Sequence, residues 1–340
     1  MLNKLEEIAN YLTSNGKGIL AADESNATIG KRFADIGIES SFEMRRDYRE
    51  MLFNSIDAMK NYISGVILYD ETIRQDAAKG GKLIELISNA NAIIGIKVDI
   101  GAKPLAFFPD ETITEGLDGL RERLKEYYAM GARFAKWRAV IALDKHVLPS
   151  YTAVKQNAQA LARYAALCQE NGIVPIVEPE ILMDNGAGDH DIERCYDVTK
   201  LTLRTVFEEL DLAKVQLNAM VLKPNMVISG KYHNKSTVEE VAQKTISCFK
   251  EVVPAQVSGI AFLSGGQDDI EATANLNAIN KHKDLPWNLT FSYGRALQSA
   301  ALKAWRGKSE NIEKAQKIFN HRAKMNFLAA KGEWSEVLEN

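Results

Sequence analysis

Three cysteines in 340 residues, Cys168, Cys195 and Cys248, are too few and too widely spaced for a disulfide framework, and no C-x-x-C pair offers half of a zinc cage. They read as buried thiols, used as small hydrophobic residues. The five histidines stand apart, without H-E-x-x-H or H-x-H spacing, and neither an EF-hand loop nor a P-loop occurs. Asp184 to Asp191 is rich in acids and glycines, but its spacing is wrong for calcium and predicts a strand-to-helix loop. No metal and no cofactor is therefore expected. The lack of a G-x-S-x-G turn disfavours serine-hydrolase chemistry. No apolar stretch approaches the ~18 residues of a membrane span, and the opening Met-Leu-Asn-Lys-Leu-Glu-Glu carries acids where a targeting peptide is basic. A cytoplasmic protein is expected. Forty-two Lys+Arg against 45 Asp+Glu give a net charge of -3 with no long run of one sign, so neither nucleic acid nor an anionic membrane is an expected partner.

What is present is a rhythm. Short runs rich in Val, Ile, Leu and Ala centre on Leu20, Ile67, Gly95, Ala135, Val177, Leu222, Phe262 and Phe291. Such nearly continuous apolar runs suit parallel strands buried on both faces. Between them the period shifts towards 3.6, as in Leu5, Ile8, Ala9 and Leu12 or Leu120, Leu124 and Tyr127, which predicts amphipathic helices. Asn171-Gly172 supplies a helix stop. Eight βα units without a Pro/Ser/Gly-rich linker are more simply closed into a (β/α)8 TIM barrel than spread as an open doubly wound sheet. The expected fold is one α/β domain over residues 1–340, with extra N- and C-terminal helices.

Seven of the eight runs end in residues that a buried strand should not contain. Asp23-Glu24-Ser25 follows the first, Lys97 and Asp99 end the third, and Phe262-Leu263 leads into Ser264-Gly265-Gly266. Lys136 and Arg138 lie two apart, as do Glu178 and Glu180, so each pair shares a strand face. Lys223 and Ser292-Tyr293-Gly294-Arg295 end two further strands. Side chains at strand C-termini of a barrel converge on one mouth, where its active sites are built.

Ser264-Gly265 and Gly294-Arg295, after strands seven and eight, offer a hydroxyl, unhindered N–H groups and helix N-termini to a phosphate. A second anion fits near Lys97 and the Ser25 to Thr28 loop, which points to a phosphorylated sugar carrying an anion at each end. Lysines and carboxylates remain for the chemistry, and a nucleophilic lysine means an imine. Its reference pKa of about 10.4 must fall. A like charge at roughly 4 Å and an effective dielectric of about 20 contributes about 4 kcal/mol, or about 3 pKa units. Lys136 beside Lys223 is expected to supply that repulsion, with Glu178 shuttling protons. Which lysine attacks is left open by the pattern.

The strings Leu-Ala-Ala-Asp-Glu-Ser (20–25), Gly-Ile-Lys-Val-Asp (95–99), Ala-Lys-Trp-Arg (135–138), Val-Glu-Pro-Glu (177–180), Leu-Lys-Pro-Asn-Met (222–226), Phe-Leu-Ser-Gly-Gly-Gln (262–267) and Ser-Tyr-Gly-Arg-Ala-Leu-Gln (292–298) occur in the order of one family. Over nearly its whole length the chain resembles the class I fructose-bisphosphate aldolases. The resemblance implies metal-free, reversible cleavage of fructose 1,6-bisphosphate to dihydroxyacetone phosphate and glyceraldehyde 3-phosphate, and a homotetramer. It implies Lys223 as the imine-forming residue, Glu178 as the general acid/base, and Glu180, Lys136 and Asp23 as helpers in proton transfer and hydroxyl binding. Ser264, Gly265, Ser292, Gly294 and Arg295 would then hold one end of the substrate, and Ser25, Thr28 and Lys97 the other, with Arg138 close by. Two departures stand out. Asn26-Ala27-Thr28 replaces an expected Thr-Gly-Ser, and the sequence ends in Val337-Leu338-Glu339-Asn340 rather than in the C-terminal tyrosine of animal-type members. The alternatives are another imine aldolase, acting on tagatose bisphosphate or as a transaldolase, and a scaffold that keeps the barrel without turnover.

Overall fold

The computed structural model describes residues 2–184 and 188–339. Part of the acidic loop singled out above, Asn185 to Ala187, and the terminal Asn340 lie outside the described residues. Among the described residues ten strands are formed: β1 (Gly18–Ala22), β2 (Ile63–Leu68), β3 (Ile93–Lys97), β4 (Gly101–Pro104), β5 (Thr112–Glu115), β6 (Phe134–Ile141), β7 (Val174–Ile181), β8 (Val221–Leu222), β9 (Gly259–Phe262) and β10 (Asn288–Tyr293). Eight of them close a parallel barrel in the order β1-β10-β9-β8-β7-β6-β3-β2. The open-sheet alternative is thereby excluded, and each predicted run centre falls within a barrel strand. The other two, β4 and β5, form an antiparallel hairpin above β3. That hairpin was not expected from the apolar pattern.

The barrel interior runs from apolar to charged along each strand. At the lower end Ile19, Ala21, Ile67, Phe134, Val174, Ile176, Val221 and Ala261 form one buried cluster. Because side chains two apart share a face, the next inward positions on β6 after Phe134 are Lys136 and Arg138, and those on β7 after Ile176 are Glu178 and Glu180. The same step carries Ala21 to Asp23 and Val221 to Lys223. The helix Leu2–Thr13 stoppers the apolar end: Leu5, Ala9 and Leu12 join the interior cluster and Ile8 packs beside it. Burying a leucine there contributes about 1.5–3 kcal/mol.

Close approach decides two positions on the inner wall. A Cβ at Gly95 would lie 2.2 Å from the Phe134 ring, and one at Gly259 2.2 Å from Thr13 Oγ1 of the stopper helix. Outside the barrel, Leu20, Ala135, Trp137, Val177 and Phe262 meet the helical layer. Helix Leu120–Ala129 buries Leu120, Leu124 and Tyr127, as its period predicts. Helix Tyr151–Glu170 stops at Asn171, with Gly172 at φ 74. The last long helix, Ile312–Lys331, packs on Arg295–Trp305 and Asp269–Asn280. Among the described residues no helix is long and apolar enough to cross a membrane.

Candidate active site

At the C-terminal ends of the strands the mouth opens into a cavity of about 1060 Å³. All fourteen residues singled out from the sequence line it: Asp23, Ser25, Thr28, Lys97, Lys136, Arg138, Glu178, Glu180, Lys223, Ser264, Gly265, Ser292, Gly294 and Arg295. β2, the one strand from whose end the sequence singled out no residue, also reaches the cavity through Tyr69 and Asp70 just beyond it.

A chain of buried charge crosses the floor. Lys136 Nζ lies 2.9 Å from Asp23 Oδ2 and 3.0 Å from Glu178 Oε2, while Lys223 Nζ lies 3.0 Å from the other oxygen of Glu178. One carboxylate thus stands against both amines. Burial pushes the Asp23 carboxyl up, but the ammonium groups of Lys136 and Lys223 and the hydrogen bond from Lys136 outweigh it and hold the group at about 2. Burial pulls Lys136 down, yet Asp23, Glu178 and Asp99 hold its ammonium above the ordinary lysine range. The two lysines that the sequence pattern placed side by side share Glu178 as a counter-ion. Glu178 stands against both amines, and Lys136 is fixed as a cation by two carboxylates, whereas Lys223 touches one.

Higher on the wall the Arg138 guanidinium pairs with Glu180. Burial raises the Glu180 carboxyl, but Arg138, then Lys223 and Lys136, bring it below its usual range. Lys97 Nζ lies 2.7 Å from Asp99 Oδ1. In barrel order β3 and β6, which carry Lys97 and Arg138, stand across from β9 and β10.

On that opposite side the two expected phosphate loops differ. Asp268 caps helix Asp269–Asn280 by accepting from the Ile270 and Glu271 N–H groups, so this helix start is already occupied by its own carboxylate. Helix Arg295–Trp305 begins at Gly294 with no side-chain cap, which leaves its first N–H groups for an anion. Ser292 Oγ is buried beside them without a hydrogen-bond partner. Ser25 caps helix Asn26–Ala34 by accepting from Thr28 N–H, and its hydroxyl is 3.0 Å from that of Thr28. Among the described residues no cluster of three or more His, Cys, Asp or Glu is arranged to hold a metal ion.

The comparisons agree on one family. The model of fructose-bisphosphate aldolase class-I matches residues 4–340. The chain belongs to the class I fructose-bisphosphate aldolases. It is 54% identical over 335 residues to a probable fructose-bisphosphate aldolase class 1 of Xanthomonas campestris, covering 98% of this chain and 99% of the relative. It is 51% identical to fructose-bisphosphate aldolase 4, cytosolic, of Arabidopsis thaliana, covering 98% of this chain and 84% of that one. The solved structure of fructose-bisphosphate aldolase from Plasmodium falciparum, in complex with TRAP and a small-molecule inhibitor, superposes with a TM-score of 0.94 at 46% identity, covering 98% of this chain and 96% of that chain. The reaction of a class I aldolase is the reversible cleavage of fructose 1,6-bisphosphate to dihydroxyacetone phosphate and glyceraldehyde 3-phosphate through a lysine imine.

Seen as an aldolase mouth, the cavity holds further residues that sequence reasoning missed. Lys31 and Arg32 line it one turn beyond Thr28, at the i+3 and i+4 positions that share a helix face. That spacing was available as a signal. Arg32 pairs with the buried Glu24, while Lys31 and Arg295 make no ion pair among the described residues.

Proposed function

We propose that Lys223 carries the imine chemistry of this aldolase and that Lys136 does not. The observation behind this is the unequal clamping of the two amines, Lys136 between Asp23 and Glu178 and Lys223 against Glu178 alone. The Lys223 amine attacks the ketose carbonyl carbon, and Glu178 protonates the resulting carbinolamine hydroxyl so that it leaves as water. In the imine so formed, a carboxylate takes the proton of the hydroxyl next to the scissile bond; the carbon–carbon bond breaks, and its electron pair moves into the imine to give an enamine. Glyceraldehyde 3-phosphate departs, the enamine is protonated on carbon, and water releases dihydroxyacetone phosphate. Lys136 stays charged throughout and steadies the carboxylates and developing alkoxide, with Asp23 and Glu180 beside it. Ser264, Gly265, Ser292, Gly294 and Arg295 receive the ketose phosphate; Ser25, Thr28, Lys97 and Arg138 face the distal one.

The test is trapping. Incubation with dihydroxyacetone phosphate, borohydride reduction and peptide mapping should yield one adduct, on Lys223. Lys223→Met should fold and lack turnover. An adduct on Lys136, or a folded Lys223→Met enzyme with unchanged kcat, overturns the assignment.

The same reading extends to the whole chain: residues 1–340 act as one aldolase-type domain, as a cytoplasmic, metal-independent homotetramer. The family match across residues 4–340 supports the single domain, and the cytosolic Arabidopsis relative supports the location. With an imine as electron sink, the chemistry needs no Lewis acid. Chelator should leave activity untouched, and inhibition reversed by zinc would contradict this.

A further inference from the structure

Beyond the end of β3 the chain places Asp99 against the wall of the cavity, buried and fully engaged. Its Oδ1 accepts from Lys97 Nζ at 2.7 Å and from Gly101 N–H at 3.1 Å, and its Oδ2 accepts from Arg138 N–H at 3.2 Å. The Asp99 backbone carbonyl accepts from Lys97 Nζ as well, also at 2.7 Å. One residue therefore grips the lysine head twice. Two of its partners are backbone groups, on the neighbouring strand β6 and at the start of the β4–β5 hairpin, so the grip is anchored to the frame. Lys97 itself faces the cavity, across the barrel from the Gly294 helix start.

A lysine head on a flexible four-carbon stem samples many positions in water, and holding it in one place removes that cost from ligand binding. We infer that Asp99 is a positioning residue that sets the preference of this site for a sugar with a second phosphate. The inference rests on the reading that Lys97 meets the distal phosphate. Asp99 acts through Lys97 and touches neither the imine nor the scissile bond. Fructose 1-phosphate lacks the distal group, so a general distortion of the mouth penalises both substrates, whereas a misplaced Lys97 penalises the bisphosphate selectively.

The experiment measures kcat/KM for fructose 1,6-bisphosphate and fructose 1-phosphate in wild type, Lys97→Ala, Asp99→Ala, Asp99→Asn and the Lys97→Ala/Asp99→Ala double variant. Losing a charge-assisted contact corresponds to about a tenfold fall. Asp99→Ala should lower the bisphosphate-to-monophosphate ratio about tenfold, mainly through KM. Asp99→Asn keeps an acceptor for Lys97 and Gly101 and should fall between. In the double variant the ratio should match that of Lys97→Ala, because the lysine that Asp99 directs at the distal phosphate is gone, while its pull on the Lys136 charge bears on both substrates alike. If Lys97→Ala itself leaves the ratio unchanged, the reading of the distal site fails and takes the inference with it. If Lys97→Ala lowers the ratio while both Asp99 variants leave it unchanged, the inference alone is wrong. An Asp99 effect that persists in full without Lys97 also overturns it.

Discussion

Asp23 and Lys136 titrate away from each other because each is the other's buried counter-ion. The Asp23 carboxyl moves from an ordinary 3.8 to about 2 on folding, so the folded chain holds that proton less tightly than the unfolded one. Its stabilisation is fully present above pH ~4 and is lost as the pH falls through about 2, a contribution on the order of 2 kcal/mol. Asp23→Asn removes that titration. Urea unfolding at successive pH values should show the wild type losing on the order of 2 kcal/mol more than Asp23→Asn between about pH 4 and 2; parallel curves would refute the assignment. At this scale the sequence was informative about place and silent about pairing. The two-residue period was enough to bring Lys136, Arg138, Glu178 and Glu180 into one mouth. That Glu178 stands against both lysines depends on how neighbouring strands line up, with Arg138 opposite Glu178 in the ladder, and no local pattern encodes that register.

Within the elements, what was legible is what depends on burial. Apolar runs marked the eight barrel strands because both faces of each are covered. The β4–β5 hairpin escaped because Gly-Ala-Lys-Pro has no apolar alternation and three of its four residues are exposed. β8 is two residues long where its apolar run predicts more, since Pro224 follows Lys223 and has no N–H to give the ladder. The wall closes tightly between β3 and β6, where Gly95 leaves room for the Phe134 ring. Gly95→Ala should therefore cost about 1–3 kcal/mol in urea unfolding, as overpacked cores do, and Phe134→Leu in the same chain should restore part of it. A Gly95→Ala enzyme of unchanged stability would show that the inner wall yields freely.

The whole molecule carries an exposed apolar surface around the β4–β5 connection. Phe107 is fully solvent-exposed in the β4–β5 connection, with φ at 68, a left-handed conformation that is rare for an aromatic residue. Beside it Leu105, Phe108, Leu143 and Leu148 line an open groove of about 1000 Å³, and Val147, next to Leu148, is exposed. Holding a large apolar side chain in water at such a backbone angle is unfavourable for an isolated chain, and patches of this kind mark contact surfaces. The hairpin springs from Gly101, which Asp99 ties to the cavity wall, so a contact there would brace the mouth. If copies of this chain assemble through the hairpin, light scattering should give the mass of four chains for wild type and a smaller species for Phe107→Asp. That substitution exposes no new core and should leave the thermal unfolding of the separated chain unchanged. A four-chain mass retained by Phe107→Asp would assign the assembly to another face and leave the groove without a partner of its own kind.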